Sequence, residues 1–332
     1  MKVLSTPWSQ TMGLQIPVLN APMGGVAGGH LAAAVSAAGG LGMIGVGSAG
    51  SVALLEQESE VPRRAQLPFG IGLLDWALKR ESGLLDAAIA AAPVLISVSF
   101  GNNWSWRRRA EEAGVMTATQ VSSVDEARKA EDAGIQVLVA RGSEGGGHGD
   151  PKVGTLPLVT AVLDAVSVPV LAAGGIASAR GLAAVLAAGA SGAWIGTAFS
   201  ACPESLTPPA ARDALLRASE TDTITTSVYD IARGYPWPLR FPERVLRSDA
   251  LVEWTGREVE FAASPEARAT LADAVDRGGE RGSHVNAGQG VGALSEVHSV
   301  AEVMERLRTG AIALLGNWAI SVADMVEVER PR

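Results

Sequence analysis

The stretch VPVLAAGGIASARGLAAVLAAGASGAWIGT, residues 168–197, decides the fold of this 332-residue chain. An apolar run ends at two glycines, an Ala-rich helical pattern follows, and a second apolar run ends at Gly196 and Thr197. A short apolar segment followed by a glycine-rich turn and a helical pattern is typical of a βα unit in a parallel sheet. The stretch therefore predicts one complete unit and the strand of the next.

The same unit recurs from about residue 16 to residue 200. Eight units are the number that a closed (β/α)8 barrel needs. No G-x-G-x-x-G motif follows the first strand in the required form, which disfavours the competing doubly wound open sheet. We predict an α/β fold of the TIM barrel type, with strands at Ile16–Asn20, Gly42–Val46, Phe69–Leu74, Val94–Phe100, Gly114–Thr119, Gln136–Ala140, Val168–Ala173 and Gly192–Gly196.

The pattern changes after Pro203, where most of the charge and an aromatic, proline-rich segment, Tyr235 to Pro238, are found. Such a change of composition indicates a second, smaller domain inserted before the chain returns to the barrel. We predict a barrel over residues 1–215, completed by residues 285–332, and a smaller substrate or lid domain over residues 216–284. The closing stretch has helical periodicity and should pack on the barrel.

Composition excludes several classes of function. A net charge of -8 and a pI near 5.2 argue against a nucleic-acid surface, which needs clustered Lys and Arg. Glycines break the long uncharged stretches into strand and helix lengths, so we expect no membrane span, and the first residues lack the apolar run of a signal peptide. The single cysteine, Cys202, forbids an internal disulfide and fits a reducing cytoplasm. A homo-oligomer is left open.

Two neighbouring loops, which follow the last two strands of the predicted barrel, indicate a phosphate-binding site. The strand at residues 168–173 ends in Ala173, Gly174 and Gly175, and the next ends in Gly196 and Thr197. Exposed backbone N–H groups at glycine turns and helix starts bind anions, and the last two units of a barrel are a frequent phosphate site. The alternative is that the glycines only permit tight turns.

A third loop carries the candidate catalytic residue. Residues 141–150 contain three consecutive glycines followed by His148. A glycine-rich loop lets backbone approach a ligand closely, and an imidazole at the barrel mouth can take a proton or donate to developing charge. A lone histidine is ordinarily a surface or core residue. No histidine pair has the spacing of a zinc site and no G-x-S-x-G elbow is present, so we predict no metal and no serine hydrolase.

Several motifs, in order along the chain, resemble the nitronate monooxygenase family, formerly called 2-nitropropane dioxygenases. The resemblance covers nearly the whole chain and is specific in combination rather than in any single loop. The matching segments are Asn20–Gly25, Ala37–Gly42, Pro68–Leu73, Gly142–Gly149, Ala172–Ile176, Gly196–Phe199 and Ala287–Gln289.

The resemblance implies an FMN-bearing TIM barrel that oxidises alkyl nitronates with O₂ to carbonyl compounds and nitrite. His148 would be the catalytic histidine, which abstracts a proton from a neutral nitroalkane and otherwise orients the nitronate. Residues that would contact the flavin are Pro22, Met23, Gly24, Gln120, Gly146, Gly147 and Gln289. Residues that would hold its phosphate are Ala173, Gly174, Gly175, Gly196 and Thr197.

The chain departs from the family pattern at two positions. The loop before His148 reads Glu-Gly-Gly-Gly-His where the family usually has Glu-Ala-Gly-Gly-His, which adds flexibility and removes no functional group. Gly72 stands where many relatives carry Asn, so a polar contact to flavin or substrate is absent. The second departure bears on the identity of the substrate more than on the cofactor.

Two alternative functions stay open. The same superfamily contains NAD(P)H-dependent flavin reductases of the enoyl-acyl-carrier-protein reductase and quinone reductase types, although the Ala-Pro-Met form of the first motif favours a monooxygenase. The other alternative is a non-catalytic flavin-binding protein. Tyr235 and Trp237 are predicted to form a wall or lid over the substrate, because aromatic rings on a proline-stiffened loop can bury a small organic ligand. A packing plug between the two domains is the competing interpretation.

Overall fold

The computed structural model describes residues 4–276 and 284–328. Residues 277–283 of the predicted inserted domain, and residues 1–3 and 329–332 of the predicted barrel, lie outside the described part. Eight parallel strands form one sheet in the order β1-β9-β8-β6-β5-β4-β3-β2. Their bounds are β1 Val18–Asn20, β2 Gly42–Gly45, β3 Phe69–Leu74, β4 Leu95–Ser99, β5 Met116–Val121, β6 Val137–Arg141, β8 Val170–Ala173 and β9 Gly192–Ile195.

The sheet closes into a barrel between β1 and β2. A parallel bridge joins Leu19 to Leu41. Beside it, the fully buried Asn20 accepts the N–H of Met43 through Oδ1 at 2.7 Å and donates Nδ2 to the Met43 carbonyl at 2.8 Å. A side-chain amide therefore supplies the hydrogen bonds that a continuous ladder would supply elsewhere. The TIM barrel predicted from the sequence is confirmed.

Helices separate the strands and cover the outside of the barrel. The boundaries differ from prediction most at β5, which begins at Met116 rather than Gly114. Gly114 instead ends the preceding helix with φ +75° and donates to the Glu111 carbonyl. The helices are α1 Pro7–Thr11, α2 Gly29–Ala37, α3 Val52–Arg64, α4 Asp75–Arg80, α5 Leu84–Ala90, α6 Trp106–Glu112, α7 Val124–Asp132, α8 Thr155–Leu163, α9 Ala179–Ala187, α10 Thr197–Ser200, α11 Pro209–Arg217, α12 Val228–Arg233, α13 Asp249–Trp254, α14 Glu258–Ala263, α15 Pro265–Asp276, the 3₁₀ helix Gln289–Ala293 and α16 Val300–Val328.

A smaller inserted domain follows the eighth barrel strand. Its antiparallel strands β10 (Thr223–Thr226) and β11 (Glu243–Leu246) continue to β7 (Gly147–His148), which belongs to a barrel loop. Helices α12 to α15 pack around a separate apolar core that includes Tyr229 and Phe261. The limits at residues 216 and 284 stay predictions, because α11 runs across the first of them.

The closing helix α16 packs on the barrel, as its periodicity predicts. Val300, Met304, Leu307 and Ala311 are buried in the core between the barrel and its helices. The helix lies against α9 and α2. Among the described helices, none has an apolar stretch long enough to cross a membrane.

Candidate active site

Arg141 shapes the glycine loop that follows β6. Its guanidinium is buried and Nη2 donates to the carbonyls of Gly145, Gly146 and Gly147 at 2.7, 3.2 and 2.9 Å. Burial, together with the nearby charge of Arg244, lowers the pKa of Arg141 to about 10, which leaves the group charged at neutral pH. One cation thus orders three consecutive carbonyls of a loop that glycine alone would leave flexible.

Several predicted cofactor residues converge at one mouth of the barrel. The N–H of Gly288 donates to Thr197 Oγ1 at 3.0 Å, and the N–H of Gln289 donates to the Glu144 carbonyl at 2.9 Å. Glu144 in turn accepts the N–H and the hydroxyl of Thr155 through Oε2, both at 2.6 Å. We call this set of loops the glycine cradle; it comprises residues 144–147, 174–176, 196–197 and 288–290.

The glycine cradle leaves backbone donors free. In the described part of the chain, the N–H groups of Gly175, Ile176 and Thr197 find no acceptor. Gly175 is exposed, Thr197 is half-buried and Ile176 is buried, so the donors of Gly175 and Thr197 lie where a ligand can reach them. Unpaired, convergent N–H groups are the donors that bind a phosphate.

Gly174 shows why this turn needs glycine. Its φ is +111°, in a region that other residues rarely adopt, and an added Cβ would lie 2.6 Å from Thr155 Oγ1. Ala173, the preceding residue, ends β8 and is buried. The turn between β8 and α9 is therefore fixed both by backbone conformation and by close packing.

The loop after β1 places Pro22, Met23 and Gly24 at the same end of the barrel. Ser200 Oγ donates to Met23 Sδ at 3.1 Å, and a Cβ on Gly196 would lie 3.4 Å from the same sulfur, so Met23 lies beside the glycine cradle. A Cβ on Gly72 would lie 2.3 Å from the ring carbons of Pro22. The proline ring thus occupies the space that a side chain at residue 72 would need.

Gln120 lies apart from these contacts. It is in β5, half-buried, and its backbone N–H donates to Ser99 Oγ at 3.1 Å. Its position near the carboxyl end of a strand is compatible with the predicted flavin contact. No hydrogen bond among the described residues links its side chain to the glycine cradle.

His148 is held from two directions by the inserted domain. Its Nε2 lies 2.9 Å from Asp230 Oδ2 in α12, and the His148 and Trp237 rings stack with centroids 3.5 Å apart and planes 4° apart. The backbone of His148 pairs with Glu243 in β11. The imidazole is therefore fixed in position and in orientation at the mouth of the barrel.

Trp237 connects His148 to two further aromatic rings. Trp237 meets Phe100 edge to face at 4.9 Å and Trp76 at 5.7 Å, and its Nε1 donates to Ser48 Oγ at 3.1 Å. Tyr235 is half-buried, and the ring contacts of this group among the described residues do not include it. The structure thus brings the Trp237 ring to His148, whereas Tyr235 makes none of the ring contacts of this group within the described part of the chain.

A second imidazole and carboxylate pair lies behind the first. Glu243 is fully buried, and its Oε2 is 2.6 Å from His284 Nε2. One ring nitrogen of His148 and one carboxylate oxygen each of Asp230 and Glu243 lie within 4.8 Å of one another. We call these four side chains the imidazole–carboxylate cluster. Each carboxylate already lies within hydrogen-bond distance of one imidazole, and we assign no metal to the cluster.

Burial and charge act together on the pKa values of the cluster. Burial raises the pKa of Asp230, against the hydrogen bond and charge of His148, which lower it. Burial pushes the pKa of His284 down, but the charge and hydrogen bond of Glu243 and the charge of Asp230 outweigh it, so the net shift is upward. His284 therefore favours the cationic form beside the buried Glu243 carboxylate.

Four residues of this site were not predicted from the sequence: Arg141, Asp230, Glu243 and His284. Arg141 had a detectable signal, because a charged residue at the end of an apolar strand and before three glycines needs a buried partner. Asp230, Glu243 and His284 lie 82 to 136 residues beyond His148 in no recognised motif. Only the folded chain brings them to the imidazole.

Comparisons with known protein sequences identify the family. The family model for nitronate monooxygenase matches residues 5–310. The nitronate monooxygenase npaC of Metarhizium robertsii is 33% identical over 349 residues, covering 94% of each chain.

Solved structures give the same result at the level of the fold. FabK from Thermotoga maritima superposes with a TM-score of 0.83 at 30% identity, covering 96% of this chain and 99% of that one. The nitroalkane oxidase from Streptomyces ansochromogenes superposes with a TM-score of 0.76 at 29% identity, covering 92% and 99%. With the family model spanning nearly the whole chain and the site residues gathered at the barrel mouth, this chain belongs to the nitronate monooxygenase family of oxidoreductases.

Proposed function

We propose that the protein uses FMN and O₂ to oxidise alkyl nitronates, and neutral nitroalkanes, to carbonyl compounds and nitrite. Family membership and the similarity to a nitroalkane oxidase support oxidation of this substrate class. The observation that carries the proposal is the position of His148. It is an oriented imidazole, 12% exposed, on the loop whose preceding residues form the glycine cradle.

The residues present fit FMN. The free N–H groups of Gly175, Ile176 and Thr197 suit its phosphate, and Pro22, Met23 and Gly24 would line the flavin. The remaining predicted contacts are Gln120, Gly146, Gly147, Ala173, Gly174, Gly196 and Gln289. When bound, the flavin supplies the redox chemistry by accepting electrons from the carbanion-like substrate and passing them to oxygen.

The chain's own residues bind, orient and deprotonate the substrate. A nitronate is an anion with carbanion character, so no base is needed to activate it, and His148 serves to orient it. A neutral nitroalkane must first lose a proton from carbon, and His148 is the group placed to take it. Trp237, with Tyr235, is proposed as the wall of the substrate site in the inserted domain, residues 216–284, because Trp237 covers one face of the imidazole.

The test starts with the absorption spectrum of the purified protein, followed by reconstitution with FMN. A flavin spectrum is expected, and bleaching under anaerobic conditions is expected with an alkyl nitronate. Subsequent admission of O₂ should restore the oxidised spectrum and release nitrite in proportion to the substrate consumed. A colourless protein that does not bind FMN would overturn the proposal.

A second candidate is an NAD(P)H-dependent flavin reductase of the enoyl-acyl-carrier-protein reductase or quinone reductase type, which the similarity to FabK favours. Rapid anaerobic bleaching by NADH or NADPH, with none by a nitronate, would decide for it. The non-catalytic alternative loses support, because the relatives in this family are enzymes. The reducing cytoplasm is proposed as the compartment, on the single buried cysteine, Cys202.

A further inference from the structure

We propose that Asp230 is a positioning residue that makes Nδ1 of His148 the proton acceptor for neutral nitroalkanes. The inference rests on the proposed function and deepens it. Asp230 accepts a hydrogen bond from Nε2–H of His148 and so holds the imidazole in the tautomer whose Nδ1 lone pair is free. A carboxylate behind a histidine is a recurrent way to fix a tautomer and to stabilise the imidazolium that forms.

The geometry of the pair is that of a buried dyad. The Nε2 to Oδ2 distance is 2.9 Å, and the two side chains are 12% and 8% exposed. Asp230 is itself fixed, since it lies in the first turn of α12 and its carbonyl accepts the N–H of Tyr235 at 3.0 Å. A rigid acceptor at this distance determines which nitrogen of His148 carries the proton.

The remaining contacts leave one nitrogen for chemistry. Trp237 stacks on a face of the ring, and β7 pairing with β11 fixes the backbone of His148. Within the described part of the chain, no hydrogen bond is made to Nδ1 by another protein group. The ring therefore presents Nδ1 as its accessible base, while its other polar atom faces the inserted domain.

Charged groups of the inserted domain and of the barrel lie around the dyad. Asp230 from α12 and Glu243 from β11 face it with two carboxylates, and His284 offsets the charge of Glu243. From the barrel side, Arg141 is directed to the loop carbonyls rather than to the imidazole. One net negative charge is thus left to stabilise a positive His148 when it takes a proton.

The step balances without an oxidant. The C–H bond next to the nitro group breaks, the proton moves to Nδ1, and the bonding electron pair passes into the nitro group to give the nitronate. The imidazolium is paired with the Asp230 carboxylate. A substrate supplied as the nitronate has already lost this proton, so its oxidation does not need the dyad.

The Asp230→Asn variant separates the two substrate forms. In the FMN-loaded protein, kcat/KM for neutral nitroethane should fall by about 100-fold, the usual contribution of a general base. With ethyl nitronate as the substrate, kcat/KM should change by less than about threefold, because the base step is absent. A loss of the same size with both substrates, or with neither, would contradict the positioning role.

Asp150→Asn is a matched control. The Asp150 side chain is 9% exposed and ion-paired to Lys152 at 3.0 Å, close to Asp230 in burial and in pairing. It lies two residues from His148 but does not contact the imidazole, so the ratio of the two kcat/KM values should stay at the wild-type value. If the wild-type protein oxidises no nitronate, the proposed function fails; if it does and the ratio is unchanged in Asp230→Asn, only the present inference fails.

A measurement on the wild-type protein keeps the inference testable should the variant not fold. Nitrogen-15 NMR of labelled holoenzyme distinguishes the two neutral tautomers of each histidine, and a His148→Ala sample assigns the signal. At a pH where His148 is neutral, the proton is expected on Nε2. A proton on Nδ1 would overturn the proposal.

Discussion

The glycine cradle and the imidazole–carboxylate cluster lie at the same end of the barrel and are built in opposite ways. The glycine cradle uses backbone N–H groups and carbonyls of β-strand ends, and its side chains are mostly absent. The imidazole–carboxylate cluster uses side chains, three of its four members coming from the inserted segment or from the chain just after it. The proposed cofactor site, made by the barrel, is thus separated from the proposed site of proton transfer, which the insertion completes.

The difference indicates that the imidazole–carboxylate cluster can change in evolution while the glycine cradle is kept. A cradle of backbone groups tolerates substitution of neighbouring side chains but not of its turn conformations. A side-chain cluster changes its chemistry with one substitution and leaves the barrel intact. Relatives that share the cofactor loops can therefore differ in substrate through the inserted domain.

Arg141→Met is expected to have the largest effect, because Arg141 serves both regions. The variant leaves three loop carbonyls without their donor, which should lower the free energy of unfolding by about 3 kcal/mol or more and release FMN. Chemical denaturation and the flavin content of the purified protein measure the two effects. Arg257→Met, at an exposed pair with Glu260, is the control and should change stability by less than about 0.5 kcal/mol. Retained flavin in Arg141→Met would mean that the glycines shape the loop unaided.

Gly174→Ala should damage the glycine cradle alone. Alanine at φ +111°, with its Cβ 2.6 Å from Thr155 Oγ1, should lower the free energy of unfolding by about 1–3 kcal/mol. The Kd for FMN, measured by fluorescence titration, should rise by about tenfold or more. Gly256→Ala is the matched control: its φ is +85° and no atom lies within 4 Å of the added Cβ. That variant should lose stability but keep the wild-type Kd for FMN. Equal Kd values for the two variants would assign Gly174 a purely structural role.

Trp237→Ala tests the side-chain region next. Removing the stack on His148 and the contact with Phe100 should lower the free energy of unfolding by about 1–2 kcal/mol. If Trp237 forms the substrate wall, the variant should also have a higher KM for the nitronate. Trp237→Phe keeps an aromatic face and loses only the bond to Ser48, so its KM should stay near the wild-type value. A lower Tm with an unchanged KM would instead support the packing plug.

The same contrast explains what the sequence could predict. Glycines at the ends of apolar runs are local signals, so the barrel, the turns at Gly174 and Gly196 and the loop before His148 were predictable from period and spacing. Asp230 and Glu243 look like ordinary acidic residues of a charged segment, and their role depends on β7 joining the sheet of the inserted domain. Contacts across 82 and 95 residues carry no local pattern.

Gly72 and β5 show two further limits. A Cβ at residue 72 would lie 2.3 Å from the ring of Pro22, 50 residues earlier, and the sequence alone could present Gly72 only as a missing polar group. At β5 the sequence predicts both a helix end at Ala113-Gly114 and a strand start at Gly114. In the structure Gly114 lies at the helix end, because the left-handed conformation at a helix terminus strongly favours glycine.

The pH dependence of stability should show the smallest effect and reports on His284. Because its pKa is raised above the ordinary 6.5, the folded state binds the proton more tightly than the unfolded chain, so this stabilisation is complete below pH 6.5 and is lost as pH rises through the folded pKa. The free energy of unfolding, measured by denaturant between pH 6 and 9, should therefore fall with pH. Asp230, with a pKa raised above 3.8 mainly by burial, acts in the same direction from lower pH, and Cys202, raised to about 12 by burial, acts above this range.

In His284→Gln the slope between pH 6.5 and 9 should disappear, although the variant is less stable throughout because Glu243 loses its cationic partner in a buried site. Glu296→Gln, an exposed partner of His298, is the control and should retain the wild-type slope. Stability that rises over this range in the wild type, or a slope retained in His284→Gln, would mean that His284 is a neutral donor. The buried Glu243 carboxylate would then accept a hydrogen bond from a neutral His284 instead of pairing with a cation.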